Sequence, residues 1–197
     1  MTKLIIQSIR QTLFWSAVVG LAYPILFTIC AQLAFPSRAN GSLLYRHGKL
    51  VGSQLLAQQF TGSNYFWPRP SACSYGSGPA GLVASGASNL GPTSGALQTN
   101  VNNNIASFRS GNSLPAHAPV PADMVFASGS GLDPDISPEA ARLQIARVAA
   151  ARRINPAQVA SLVEKFTQPP QWGFLGEPRV NVLLLDLALD ETAPPKK

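Results

Sequence analysis

Three carboxylates, Asp133, Asp135 and Glu139, fall within seven residues and follow a loop of alternating serine and glycine, SGSGLDP, residues 128–134. Two chemistries fit such a stretch. Clustered carboxylates bind divalent cations, but a calcium loop of the EF-hand type needs glycine at its sixth position, and counting from Asp133 that position is Pro138. A helix beginning at Pro138 accounts for Asp135 and Glu139 more simply, because negative charge near a helix start is favoured by the helix dipole. The serine-glycine loop could cradle a phosphate with its backbone amides. It lacks the third glycine of a dinucleotide fingerprint and the lysine of a P-loop, so a structural tight turn is the expected role.

Arg69 stands between Pro68 and Pro70, which hold it in an extended segment and aim its guanidinium. Its acceptor is either a carboxylate or carbonyls on a partner, or an internal carboxylate that pins a long loop. His47 and His117 are the only histidines and no cysteine pair accompanies them, which argues against a metal site. Cys30 lies in an apolar run and Cys73 in a polar one, so no disulfide is expected between them. Phe27, Thr28 and Ile29 before Cys30 do not suit lipoprotein processing. Walker A, DKTGT, H-E-x-x-H and G-x-S-x-G motifs do not occur in the sequence. The enzyme reading that remains is an extracytoplasmic hydrolase built on the SGSG loop and Asp133.

The elements that must position these residues begin with an anchor. Between Arg10 and Arg38 there is no charged side chain, and residues 12–35 would span about 36 Å as a helix, enough to cross the hydrocarbon of a bilayer. The stretch is longer than a signal-peptide core, which predicts an uncleaved transmembrane helix, and Pro24 predicts a kink beside Tyr23. Residues 1–11 form a short segment before the span and residues 36–197 one loop-rich soluble domain. The formal charge of +6 does not point to nucleic acid, because the fifteen Lys and Arg are scattered, and Arg10, Arg38, Arg46 and Lys49 flank the span where lipid headgroups would meet them. Charge is nearly balanced across the span and does not set its orientation.

In the soluble part, His47-Gly48 predicts a hairpin turn, Gly52-Ser53 a cap for a helix over residues 54–60, and the Gly-, Ser-, Asn- and Pro-rich residues 64–121 little regular structure. Residues 120–127 read as a strand. Ser137 with Pro138 starts a helix to about Arg152, with Ala141, Ile145, Val148 and Ala149 on its packed face and Arg142, Gln144 and Arg147 turned away from it. Asn155-Pro156 starts another, ending near Phe166. Residues 180–189, rich in Val and Leu, read as a buried strand at the centre of a small sheet. The fold class is α+β or a small α/β, with two to three helices.

The strings ANGSL (39–43), VGSQLLAQQF (51–60), YFWPRPSA (65–72), SGASNLGP (85–92), ASGSGLDPDISPEAA (127–141) and FLGEPRVNVLLLDLALD (174–190) occur in one order over most of the chain after residue 39. On these the chain resembles the potassium-transporting ATPase C chain, a subunit of the bacterial Kdp-type potassium-importing P-type ATPase complex. Departures are local: Phe166 stands where the family has a polar or His residue, Asp186 where it has Asn, and residues 73–82 match no pattern. The resemblance implies a non-catalytic accessory subunit in the bacterial inner membrane, N-terminus cytoplasmic and C-terminal domain periplasmic. Its implied partners are a channel-like potassium-binding subunit, the catalytic P-type subunit and a very small single-span subunit. ATP and potassium would be used by the complex, with no cofactor bound by a motif of this chain. The family's link to nucleotide makes Ser128, Gly129, Ser130, Gly131 and Gln144 nucleotide-contact candidates, and Arg69 is the partner-contact candidate.

Overall fold

The apolar stretch after Arg10 is part of an N-terminal helix, which runs over Thr2–Ala34 and is long and apolar enough to cross a membrane. The computed structural model describes residues 1–73 and 84–192, so all but the first residue of the patternless stretch 73–82 lies outside the described residues. The helix starts ten residues before the span expected from residue 12, as α1 (Thr2–Ala17), and continues as α2 (Tyr23–Ala34). A π-helical turn, Val18–Ala22, joins them just before Pro24. Proline has no amide hydrogen to donate to the preceding turn, and a wider turn is one way a helix absorbs that loss. Pro36 begins a short helix α3 (Pro36–Ala39) after Phe35 leaves helical geometry.

The hairpin of β1 (Leu43–Arg46) and β2 (Lys49–Ser53) turns as expected through His47 and Gly48, both left-handed at φ 50° and 75°. Residues 1–51 and residues 52–197 form two compact units. In the second unit no helix forms over residues 54–60, because tertiary partners take the backbone: Ala57 donates its amide to the Leu132 carbonyl, and the Gln54 carbonyl accepts from Asn181. Conversely, α4 (Gly95–Gly111) is a regular helix inside the stretch expected to be irregular. Ser94 caps it by accepting from the Leu97 amide, and Leu97, Val101, Ile105 and Phe108 recur at helical spacing, with Phe108 buried. The asparagines between them hid the pattern. Residues 120–127 form no strand either, but a 3-10 turn at Ala122–Met124.

A three-stranded antiparallel sheet has the order β3 (Asp135–Ile136), β5 (Arg179–Asn181), β4 (Thr167–Gln168). Asp135 pairs with Asn181, and Ile136 and Thr167 flank Val180. The C-terminal apolar run does reach the sheet's centre, but it is a strand for three residues only and then becomes helix α7 (Val182–Thr192). The neighbouring strands are two residues long and offer nothing further to pair with. Asn181 accepts from the Leu184 amide and closes the first turn, and the Leu- and Ala-rich continuation favours helix. Helices α5 (Pro138–Arg152) and α6 (Pro156–Phe166) start at their expected caps, Ser137 and Asn155. The fold is mixed α+β. Its core joins Phe66, Ile136, Val148, Val159, Val163, Val180, Leu185 and Leu189, all essentially inaccessible. Full burial of each Leu or Phe stabilises by about 1.5–3 kcal/mol before chain entropy is counted.

Candidate functional site

The residues singled out by sequence are gathered by one segment without helix or strand, residues 62–73, which lies as a strap over α5, α7 and the SGSG loop. Phe66 is fully buried and its amide donates to Asp186 Oδ1 at 3.0 Å. Trp67 is held at both backbone groups by Gln144, whose Oε1 accepts from its amide at 2.8 Å and whose Nε2 donates to its carbonyl at 3.3 Å. Arg147 donates to the carbonyls of Gly62, Ser63 and Tyr65, to Gln144 Oε1 and to Asn112 Oδ1, and lies 4.1 Å from the Trp67 ring centroid. Arg152 donates to the Asn64 carbonyl and pairs with Asp190 at 2.7 Å. Burial pulls the Arg147 pKa down to about 10, against the opposing attraction of Asp186.

Gln144 and Arg147 therefore do not face solvent, as their spacing from the apolar residues of α5 had suggested. Gln144 is fully buried. The helix packs on two sides, with Val148 and Ala149 in the core and Gln144, Arg147 and Arg152 bound to the strap. Periodicity missed this because polar side chains count as outward even when another segment's backbone awaits them.

Farther along the strap, Arg69 meets an internal carboxylate, Nη1 to Asp133 Oδ2 at 2.6 Å. Ser71 Oγ donates to the Gly131 carbonyl at 2.7 Å, and Ser128 donates its amide to the Pro70 carbonyl at 3.4 Å. The Gly131 amide donates to the Ser128 carbonyl, the Leu132 amide to Ser130 Oγ, and the Ser130 carbonyl accepts from the Gly86 amide and Ser85 Oγ. The amides of Ser128, Gly131 and Leu132 are thus committed inside the protein. Gly131 is left-handed at φ 69°, and a Cβ there would lie 2.3 Å from Cys73 Sγ and 2.6 Å from the Gly86 carbonyl oxygen. Gly129 and Ser130 are exposed, Ser128 and Gly131 are buried, and Gln144 sits in the core behind Trp67. The loop and Gln144 are connected through the strap, each by its own bonds to it.

Beyond Arg69 opens a cleft of about 730 Å³, lined by Asp123, Asp133, Asp135, Glu177 and Arg179 among others. Arg179 Nε pairs with Asp135 Oδ2 at 3.1 Å. Burial raises the Asp135 pKa, while the Asn181 hydrogen bond and Arg179 oppose the rise. Asp135 lies on β3 and does not cap α5. The carboxylate supporting that cap is Asp123, which accepts from the Ser137 amide at 2.7 Å and its hydroxyl at 3.1 Å. Among the described residues no group of three or more His, Cys, Asp or Glu is placed to hold a metal ion.

An exposed aromatic turn, to which the sequence patterns above do not point, lies on the surface. Between β4 and β5 the chain makes a tight turn bridged from Gln171 to Leu175, with Trp172 and Gly173 both left-handed. It presents Trp172 at 83% and Phe174 at 73% exposure. Two aromatics flanking a glycine, bracketed by Pro169-Pro170 and Gly176, were the signal.

The family model described as KdpC, K+-transporting ATPase, c chain, matches residues 5–191. A protein of Methylococcus capsulatus called potassium-transporting ATPase KdpC subunit is 50% identical over 184 residues, which cover 93% of this chain and 95% of the relative. Proteins of the same description from Variovorax paradoxus and Rhodospirillum rubrum are each 52% identical over 178 residues. They cover 90% of this chain and, respectively, 91% and 90% of the relatives.

Proposed function

The chain belongs to the K+-transporting ATPase c-chain family, and from that premise we propose that it is the accessory, non-catalytic subunit of an ATP-driven potassium import complex. The observation that carries this reading is the match along nearly the whole chain, anchor included, to proteins described as subunits of a potassium-transporting ATPase. The helix Thr2–Ala34, the one among the described residues that is long and apolar enough, would supply one membrane crossing. The assembly would include a channel-like potassium-binding subunit, the P-type catalytic subunit and a very small single-span subunit, with the N-terminus of this chain in the cytoplasm and its large domain on the outer side of the inner membrane.

In this reading the chain contributes no nucleotide site, and ATP and potassium are handled by the other subunits. Cytosolic ATP does not cross the bilayer to an external domain. The internal bonding of Gln144 and the SGSG loop supports a structural role for both. Contact with the other subunits would fall on the Trp172 turn. It has no charged residue from Phe166 to Gly176; Lys165 precedes it, but Glu177 follows, and the adjoining cleft holds Asp123, Asp133, Asp135, Glu139 and Glu177 against Arg69 and Arg179, an acidic balance that anionic headgroups would repel. A protein surface therefore suits it better than lipid.

Co-expression of the tagged full chain with the other subunits, followed by detergent purification, tests the reading. Stoichiometric co-elution and loss of growth on limiting potassium when the chain is deleted are expected. A chain that purifies alone and hydrolyses a substrate would overturn it in favour of a membrane-anchored hydrolase.

A further inference from the structure

Asp186 is a carboxyl group placed where a carboxylate is poorly served. It is 2% exposed on α7, on the same helix face as Val182, Leu185 and Leu189 of the apolar core, and its Oδ1 accepts a hydrogen bond from the Phe66 amide. Its Oδ2 is buried and has no hydrogen-bond partner.

The charged and titratable groups that face Asp186 are Arg147 and Arg152 from α5, Asp190 from its own helix and Tyr65 from the strap. Both arginines are engaged elsewhere: Arg147 donates to the carbonyls of residues 62, 63 and 65, Arg152 to Asp190 and the Asn64 carbonyl. An ionised Asp186 would be a second carboxylate one helical turn from Asp190, buried, with the Phe66 amide donating to one oxygen and nothing to the other. A neutral acid, with its carbonyl oxygen on the Phe66 amide, also leaves its Oδ2 hydroxyl without an acceptor, but an unsatisfied neutral group costs less to bury than an unsatisfied charge.

We propose that Asp186 is a proton-dependent latch, seating the strap on α5 and α7 as a neutral carboxylic acid and loosening it when it ionises. Burial, with Asp190 adding to it, pushes this carboxyl well above the ordinary aspartate range, while the Phe66 amide and the two arginines oppose the rise. The sign follows from proton linkage. Above the ordinary aspartate pKa the native chain keeps a proton that the unfolded chain has released, so stability declines as pH rises towards the native pKa and levels off beyond it. The same strap carries Arg69 and Ser71, so its loosening reaches the cleft and the SGSG loop.

The test uses the full chain in detergent, wild type and Asp186→Asn, from about pH 5 to about pH 9. The wild-type melting temperature is expected to fall across this range, and that of Asp186→Asn to fall less. Infrared spectra followed across this range are expected to show, in wild type and not in the variant, the carbonyl stretch of a protonated carboxylic acid that fades as pH rises. Parallel melting profiles, or no such band in wild type, would overturn the latch. If the variant fails to fold, hydrogen exchange of the Phe66 and Trp67 amides in wild type decides: protection corrected for intrinsic rate must drop as pH rises, and constant protection would overturn the proposal.

Discussion

Gln144 and Gly131 hold the strap by different physics, and each gives a residue-scale expectation. The Gln144 amide satisfies both backbone groups of Trp67 from a fully buried position. Gln144→Leu keeps much of the volume but leaves those groups without their partner, which costs about 1–3 kcal/mol. A lowered denaturant midpoint with an unchanged slope is the expected result. At Gly131 the obstacle is steric: the left-handed backbone and the Gly86 carbonyl leave no room for a Cβ, so Gly131→Ala should destabilise by about 2–4 kcal/mol. Gly129, with nothing within 4 Å of a built Cβ, should tolerate alanine, and melting temperatures of the two variants make the comparison. The SGSG string was visible in the sequence as a turn. Which of its glycines is required was not, because that depends on Cys73 and Gly86, which are distant in sequence.

Among the elements, those whose ends carry local chemistry were legible. Ser137-Pro138 and Asn155-Pro156 start α5 and α6 because a side-chain oxygen and a preset proline φ act within a few residues. Ser137→Ala should cost about 1–2 kcal/mol, since the hydroxyl both caps the Ala140 amide and donates to Asp123, and thermal unfolding measures it. Asp123→Asn should weaken the same junction. Elements decided by distant partners were not legible. The C-terminal run read as one long strand because β5 and α7 are both apolar, and only the two-residue lengths of β3 and β4 limit the strand. Residues 54–60 carry a helical signal that bonds to Leu132 and Asn181 override.

At the scale of the whole molecule, the anchor was legible and the Trp172 turn was not. A span needs only length and apolarity, whereas an exposed aromatic turn between two strands shows itself only once the strands are placed. The anchor is expected to be retained, with intact-mass spectrometry of the membrane fraction finding the N-terminal helix in the mature chain. A mature N-terminus at Asn40 would count against it. The turn gives the sharper expectation. Trp172 and Phe174 are mostly exposed, so Trp172→Ala with Phe174→Ala removes little buried area and should leave the melting temperature nearly unchanged. Aromatic anchors that become desolvated at an interface, by contrast, often contribute about 2 kcal/mol or more each to binding. The double variant should therefore fold normally yet recover far less of the other subunits in a detergent pull-down. Undiminished recovery would place the subunit contact elsewhere. If recovery held while binding to lipid vesicles fell, the turn would instead be a membrane-surface element, against the charge argument from Glu177 and the acidic cleft.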